Sequence, residues 1–167
     1  FIQTDEYLRA APHIWAMGDV AGSPQFTYVS LDDYRIVRDQ ILGEGKRTTK
    51  DRLLLPTSVF TTPALAQVGM TETMAAASGR PYEVKRLQTA AIPKAKVLGE
   101  THGLLKAIVD TKTGLILGAT LFCPEAHELI NLLKLAMDHQ IPAEALRTQI
   151  FTHPTIAEAL NDLFAPN

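Results

Sequence analysis

Two apolar segments, Gly103 to Asp110 and Leu115 to Phe122, flank the tetrapeptide Thr111-Lys112-Thr113-Gly114. Such a linker reads as a hairpin turn, with glycine supplying the positive φ that tight turns require. The two segments must therefore lie side by side and antiparallel. The first, Gly103-Leu-Leu-Lys-Ala-Ile-Val-Asp110, alternates only partly between apolar and polar residues, which places it at the centre of a sheet. Val59-Phe60-Thr61, Leu65 to Val68 and Tyr82 to Thr89 read as further strands.

Helical signals follow the strands. Thr71 to Ser78 carries a threonine N-cap and stops at Gly79. Pro93 to Val97 reads as a short helical turn or loop. Glu125 to His139 is the clearest helix, with Leu129, Leu132, Leu133, Ala136 and Met137 on one face. Gln140-Ile141-Pro142 interrupts it, a short helix starts at Ala143, and a last one runs from about Thr155 to Phe164 with Ile156, Leu160 and Phe164 on one side. This order specifies an α+β fold, an antiparallel sheet with helices packed on one face. Neither GxGxxG nor GxxxxGK[ST] occurs, so no nucleotide-binding glycine loop lies in this chain.

The N-terminal part differs. Ile14 to Met17 is a compact apolar run ending at Gly18-Asp19. It reads either as a buried strand that delivers a carboxylate at its C-terminal end, where open α/β sheets bind ligands, or as a strand followed by a simple turn. An amphipathic helix is expected from about Tyr28 to Leu42, with Leu31, Tyr34, Ile36, Val37, Ile41 and Leu42 as its apolar stripe, closed by Gly43-Glu44-Gly45. Lys46 to Arg52 reads as a solvated basic linker. The expected division is therefore residues 1–50 and residues 51–167.

Bulk properties narrow the function classes. Net charge is −2, which points away from nucleic acid and from anionic membrane surfaces. No apolar run approaches a membrane-spanning length and no signal peptide is visible. The single cysteine, Cys123, fits a reducing, cytoplasmic setting and reads as a buried thiol. Histidines at 13, 102, 127, 139 and 153 show no metal-ligand spacing; a patch using His13, His102 or His127 has no support from spacing. The chain begins at Phe1, which suggests a piece of a longer protein.

Phe151-Thr-His-Pro-Thr-Ile-Ala-Glu158 combines a histidine with a carboxylate five residues later. Thr155-x-x-Glu158 fits a helix capping box. His153 is also placed to shuttle protons with Glu158 orienting its ring, although spacing alone favours the cap. The two readings do not exclude each other.

Three segments, in order, resemble one family. Trp15-Ala16-Met17-Gly18-Asp19-Val20 is similar to the Y-A-x-G-D-V segment of flavoprotein disulfide reductases. Pro56 to Thr71, PTSVFTTPALAQVGMT, resembles the opening of their C-terminal interface domain. Thr152 to Glu158 resembles their H-P-T-x-[SA]-E motif. The resemblance covers nearly the whole chain and groups it with dihydrolipoamide dehydrogenases. The segment Phe26 to Asp33, FTYVSLDD, looks more like the branch related to mercuric reductase and hypothiocyanous acid reductase.

The resemblance implies the C-terminal third of a pyridine nucleotide-disulfide oxidoreductase, with the end of an FAD domain followed by a dimerisation domain. It implies FAD and NAD(P)H as cofactors of the parent protein, with no tight binding by this chain alone. Asp19 would bond the ribityl chain of FAD, with Gly18 and Val20 adding backbone contacts. His153, oriented by Glu158, would exchange protons with the redox disulfide of the partner subunit in a homodimer. The substrate class would be a small disulfide, dithiol or reactive oxidant, and the setting cell redox homeostasis. The chain closes on Phe164-Ala165-Pro166-Asn167, without the C-terminal cysteine pair of mercuric reductases, which argues against mercury reduction. The alternative is a non-catalytic homodimerisation module.

Overall fold

The computed structural model describes residues 1–166. The chain divides into two compact units, Phe1–Leu53 and a second beginning at Leu54.

In the first unit, β1 (Arg9–Ala11) and β2 (Ile14–Trp15) form a small antiparallel ribbon. A single 3₁₀ turn, Asp19–Ala21, leads toward α1 (Thr27–Leu42). Leu8, Ala16, Val29 and Ile36 are its buried apolar residues. The expected buried strand at Ile14–Met17 is corrected here. Only Ile14 and Trp15 pair as strand, and Ile14 and Met17 are exposed. Among the described residues β2 pairs with a strand on one edge only.

Of the apolar stripe expected on α1, only Ile36 is buried, with Val37 half-buried. Val29, Asp33 and Ile36 face inward at helical spacing, whereas Leu31, Tyr34, Ile41 and Leu42 are exposed. The basic segment after α1 is not merely solvated. Arg47 and Arg52 pair with Asp32, and Arg52 also pairs with Asp33. Thr48 and Asp51 close a capping box around the 3₁₀ turn Thr49–Asp51.

The second unit is a five-stranded antiparallel sheet in the order β3-β4-β7-β6-β5. Its strands are β3 (Thr57–Val59), β4 (Ala64–Gly69), β5 (Tyr82–Gln88), β6 (Leu104–Asp110) and β7 (Ile116–Cys123). β6 lies inside the sheet, as its weak alternation requires. The β6–β7 turn is held by Asp110, whose Oδ1 accepts the backbone N–H groups of Lys112 (2.8 Å) and Thr113 (3.0 Å); Gly114 supplies φ +71°. β3 starts and ends two residues earlier than expected, because Thr61 and Pro63 belong to the loop between β3 and β4, where the Thr61 hydroxyl donates to the Pro63 carbonyl.

Period-two alternation sends Ala64, Ala66 and Val68 of β4, Leu105, Ala107 and Val109 of β6, and Ala119, Leu121 and Cys123 of β7 into one core. Three helices, α4 (Ala126–Asp138), α5 (Ala143–Thr148) and α6 (Ala159–Leu163), contribute to the same core. The buried face of α4 is Ala126, Leu129, Ile130, Leu133 and Ala136. The short α3 (Pro93–Leu98) adds Ala95 to that core. On the opposite sheet face, α2 (Glu72–Ala77) places Glu72 between Arg86 (3.0 Å) and Lys106 (3.1 Å), cross-strand neighbours on β5 and β6. That face also carries an apolar row, Val59, Leu65 and Phe122, opposed residue by residue across β3, β4 and β7 and exposed to solvent.

Close approach explains one glycine pair. Gly69 and Gly118 oppose each other where β4 passes β7, and a Cβ on Gly118 would lie 2.0 Å from the Met70 carbonyl oxygen. Cys123 is fully buried in the core, and burial pushes its thiol up to about 12, so it stays protonated and unreactive at neutral pH.

Candidate functional site

Asn161 frames the segment that carries His153. Its side-chain Nδ2 donates to the carbonyls of Leu146 (2.9 Å), Arg147 (2.9 Å) and Gln149 (3.0 Å). These are orphan acceptors at the C-terminal end of α5, so one amide closes that helix and anchors the loop after it. Ile150 in that loop is 91% exposed. The chain then passes through Phe151 and Thr152 to His153, whose peptide bond to Pro154 is cis.

The capping box expected at Thr155–Glu158 is present, and the same carboxylate also reaches the His153 ring. The Glu158 N–H donates to Thr155 Oγ1 (3.2 Å), and the Thr155 N–H donates back to Glu158 Oε1 (3.0 Å), a complete capping box. The Thr155 hydroxyl donates to the Thr152 carbonyl (2.8 Å). The other carboxylate oxygen, Oε2, lies 2.8 Å from His153 Nδ1. Regular helix starts only at Ala159. The preceding turn is tighter than α, with Ala159, Leu160 and Asn161 N–H groups each bonding the carbonyl three residues back. The helix expected from Thr155 is therefore a capped tight turn followed by α6.

The electrostatics assign the tautomer. The hydrogen bond from His153 holds the Glu158 carboxyl below the usual glutamate range, with the Thr155 N–H adding to the effect. An ionised carboxylate is acceptor only, so Nδ1 carries the hydrogen, and in the neutral ring Nε2 presents a lone pair. The His153 side chain is 68% exposed and that of Glu158 only 18%. The oriented edge of the ring thus faces outward while its holder sits in the fold.

A pH dependence follows from the depressed carboxyl. A group whose folded value is lowered stabilises fully above its ordinary value, 4.5 for this glutamate, and loses that contribution as pH falls through the lower folded value. Wild-type protein should therefore show a higher urea midpoint than Glu158→Gln at pH 7, and the gap should close in the acid range. An equal gap at pH 7 and at pH 3 would refute this.

The second candidate site lies in the first unit. Gly18 adopts φ +74°, ψ −154°, and is buried, whereas Asp19 and Val20 are exposed. Gly18 and Asp19, with Met17, Phe26, Thr27 and Ser30, line an open cleft of about 450 Å³ at the N-terminal end of α1. A Cβ on Gly18 would meet Ser30 Oγ at 3.1 Å, and the positive φ itself favours glycine. An exposed carboxylate beside a helix N-terminus suits a polar, hydroxyl-bearing ligand segment.

Asp33 and Asn161 have no local sequence signature, because their partners lie 12 or more residues away. No group of three or more His, Cys, Asp or Glu side chains that could hold a metal occurs among the described residues. His127 instead packs against Phe60, with ring centroids 5.4 Å apart. No helix among the described residues is long and apolar enough to cross a membrane.

Residues 55–164 match the pyridine nucleotide-disulphide oxidoreductase dimerisation domain, and the chain belongs to that family. It is 59% identical over 155 residues to the probable pyridine nucleotide-disulfide oxidoreductase RclA of Escherichia coli (strain K12), covering 93% of this chain and 35% of that protein. It is 35% identical over 160 residues to a mercuric reductase of Streptomyces lividans, covering 95% and 34%. Among solved structures, the Cu(II) complex of the HOCl-induced flavoprotein disulfide reductase RclA from Escherichia coli superposes with TM-score 0.95 at 58% identity, over 97% of this chain and 37% of that one. LpdA from Mycobacterium tuberculosis superposes with TM-score 0.86 at 26% identity, over 98% and 36%. The chain thus spans about a third of the length of these relatives.

Proposed function

We propose that this chain is the C-terminal part of an FAD-dependent, NAD(P)H-linked disulfide oxidoreductase that works as a homodimer. Residues 1–50 are the end of the FAD-binding domain and residues 51–167 the dimerisation domain. The observation that carries the reading is the bond between His153 Nδ1 and Glu158 Oε2, which leaves an exposed, oriented Nε2.

Nε2 takes the proton of an attacking thiol, so that the thiolate forms where it is needed. The resulting imidazolium keeps its Nδ1–H on Glu158, whose negative charge stabilises it. In the reverse direction Nε2 returns the proton to a leaving thiolate. The redox disulfide addressed by His153 belongs to the partner subunit, and the substrate is a small disulfide, dithiol or reactive oxidant. Bound FAD would supply the electron transfer between nicotinamide and disulfide. The cleft at Gly18 would hold the flavin's polar side chain, with Asp19 accepting from a ribityl hydroxyl and the backbone of Gly18 and the adjacent Val20 alongside. The exposed row Val59, Leu65 and Phe122 offers apolar surface to a second copy.

Mixed dimers test the arrangement. Full-length subunits carrying His153→Gln should be inactive, as should subunits with the redox cysteines replaced. Unfolding and refolding the two together should restore roughly a quarter of wild-type turnover, because half the dimers then contain one complete site. No recovery, with dimers confirmed by mass, would sink the proposal.

A further inference from the structure

The first unit buries a carboxylate that the proton chemistry at His153 does not use. Asp33 is 0% exposed, on the inward face of α1. Its two oxygens serve two different donors. Oδ2 accepts the Gly18 N–H at 2.6 Å, and Oδ1 accepts from the Arg52 guanidinium, whose side chain is only 12% exposed. Arg52 also donates through Nε to Asp32 at 2.8 Å. Burial acts to raise Asp32, but Arg52 and Arg47 outweigh it and hold that carboxyl low. Gly18 sits at the positive-φ elbow that turns Asp19 into the cleft.

We infer that Asp33 is a positioning residue for the cofactor cleft: it clamps the Gly18 elbow and so sets how firmly the chain grips FAD. The inference rests on the reading that Gly18, Asp19 and Val20 hold the flavin. A buried carboxylate retained in a core needs both its oxygens satisfied. Here that condition couples three places in the sequence: the elbow at Gly18, the inner face of α1, and Arg52. The bond to a buried charge is of the strong class, so the elbow is fixed before any ligand arrives. A loop that is already in its bound geometry loses less freedom on binding.

The isosteric change Asp33→Asn separates this from a packing role. Asparagine has one carbonyl oxygen, so it can accept from Gly18 or from Arg52, and its NH₂ then faces the other donor. The double variant D33N/R52Q restores one acceptor for each donor, because the glutamine oxygen can receive that NH₂. Two readouts apply. In this chain, the Gly18 amide proton should resonate far downfield and exchange slowly; D33N should move it upfield and speed exchange. In the full-length apoprotein, titrated with FAD by fluorescence quenching, D33N should raise Kd about tenfold, the scale of leaving one buried donor without an acceptor. D33N/R52Q should recover most of both signals.

Unchanged Gly18 signals and unchanged Kd in D33N would overturn the inference. Asp19→Ala is the reference. If it weakens FAD binding and D33N does not, the clamp is wrong and the cofactor reading stands. If D33N moves the Gly18 signals but neither variant alters Kd, the cofactor reading itself fails and the inference falls with it. Should D33N alone not fold, D33N/R52Q must fold and bind FAD within about threefold of wild type, and its failure would equally refute the clamp.

Discussion

His153→Gln in the full-length enzyme is expected to slow turnover by about 10²–10⁴-fold, the range for loss of a general acid/base. Glutamine can still accept or donate near Glu158, so the capping box and fold should persist. It cannot take up and return a proton near neutral pH. The loss should fall on the dithiol step. Flavin reduction by NAD(P)H, followed by its absorbance in single turnover, should be nearly unchanged if, as proposed, the ring acts on the dithiol step alone. A variant with wild-type turnover would remove His153 from the mechanism, and one that also lost flavin reduction would indicate wider damage. Glu158→Gln should sit between, because it keeps a hydrogen-bond partner for the ring while dropping the charge that stabilises the imidazolium.

The largest effect on folding is expected at Leu133. It is fully buried on the inner face of α4, in the core shared with β4, β6 and β7. Truncation to alanine removes three heavy atoms from a core surrounded by regular sheet and helix, which can collapse only partly. Leu133→Ala should therefore destabilise the second unit by about 2–5 kcal/mol. Urea unfolding followed by far-UV circular dichroism would show the lowered midpoint. The neighbouring Leu135 is 52% exposed, and Leu135→Ala should change the midpoint little. Similar losses at the two positions would mean that the burial assignment of α4 is wrong.

What could be read in the sequence was local. The β6–β7 hairpin was legible because Asp110 to Gly114 carries its own turn chemistry within five residues. The face of α4 was legible because a helix that packs on a sheet repeats its apolar residues at 3.6. The pairing of His153 with Glu158 was legible because both lie on one tight turn. Legibility failed where burial depended on distant partners. Leu31, Tyr34 and Ile41 looked like an inner stripe on α1, yet the inward residues are Val29, Asp33 and Ile36. An aspartate is read as outward by any hydropathy rule, and only distant partners, the Gly18 N–H 15 residues away and Arg52 19 residues away, make its burial tolerable. Lys46 to Arg52 looked solvated for the same reason. Asn161 went unnoticed because an asparagine on a helix carries no pattern that announces three carbonyls from another element.

The two oxygens of Glu158 have a consequence for anyone wishing to retune this histidine. One oxygen holds the backbone of the turn and the other holds the ring. Orientation of the ring and integrity of the turn are thus controlled by a single side chain, and a library varied at position 158 will select on both at once. Variants that reorient the ring without thermal penalty should therefore arise elsewhere, among groups facing its exposed edge. Directed evolution under heat and altered pH together should leave position 158 untouched.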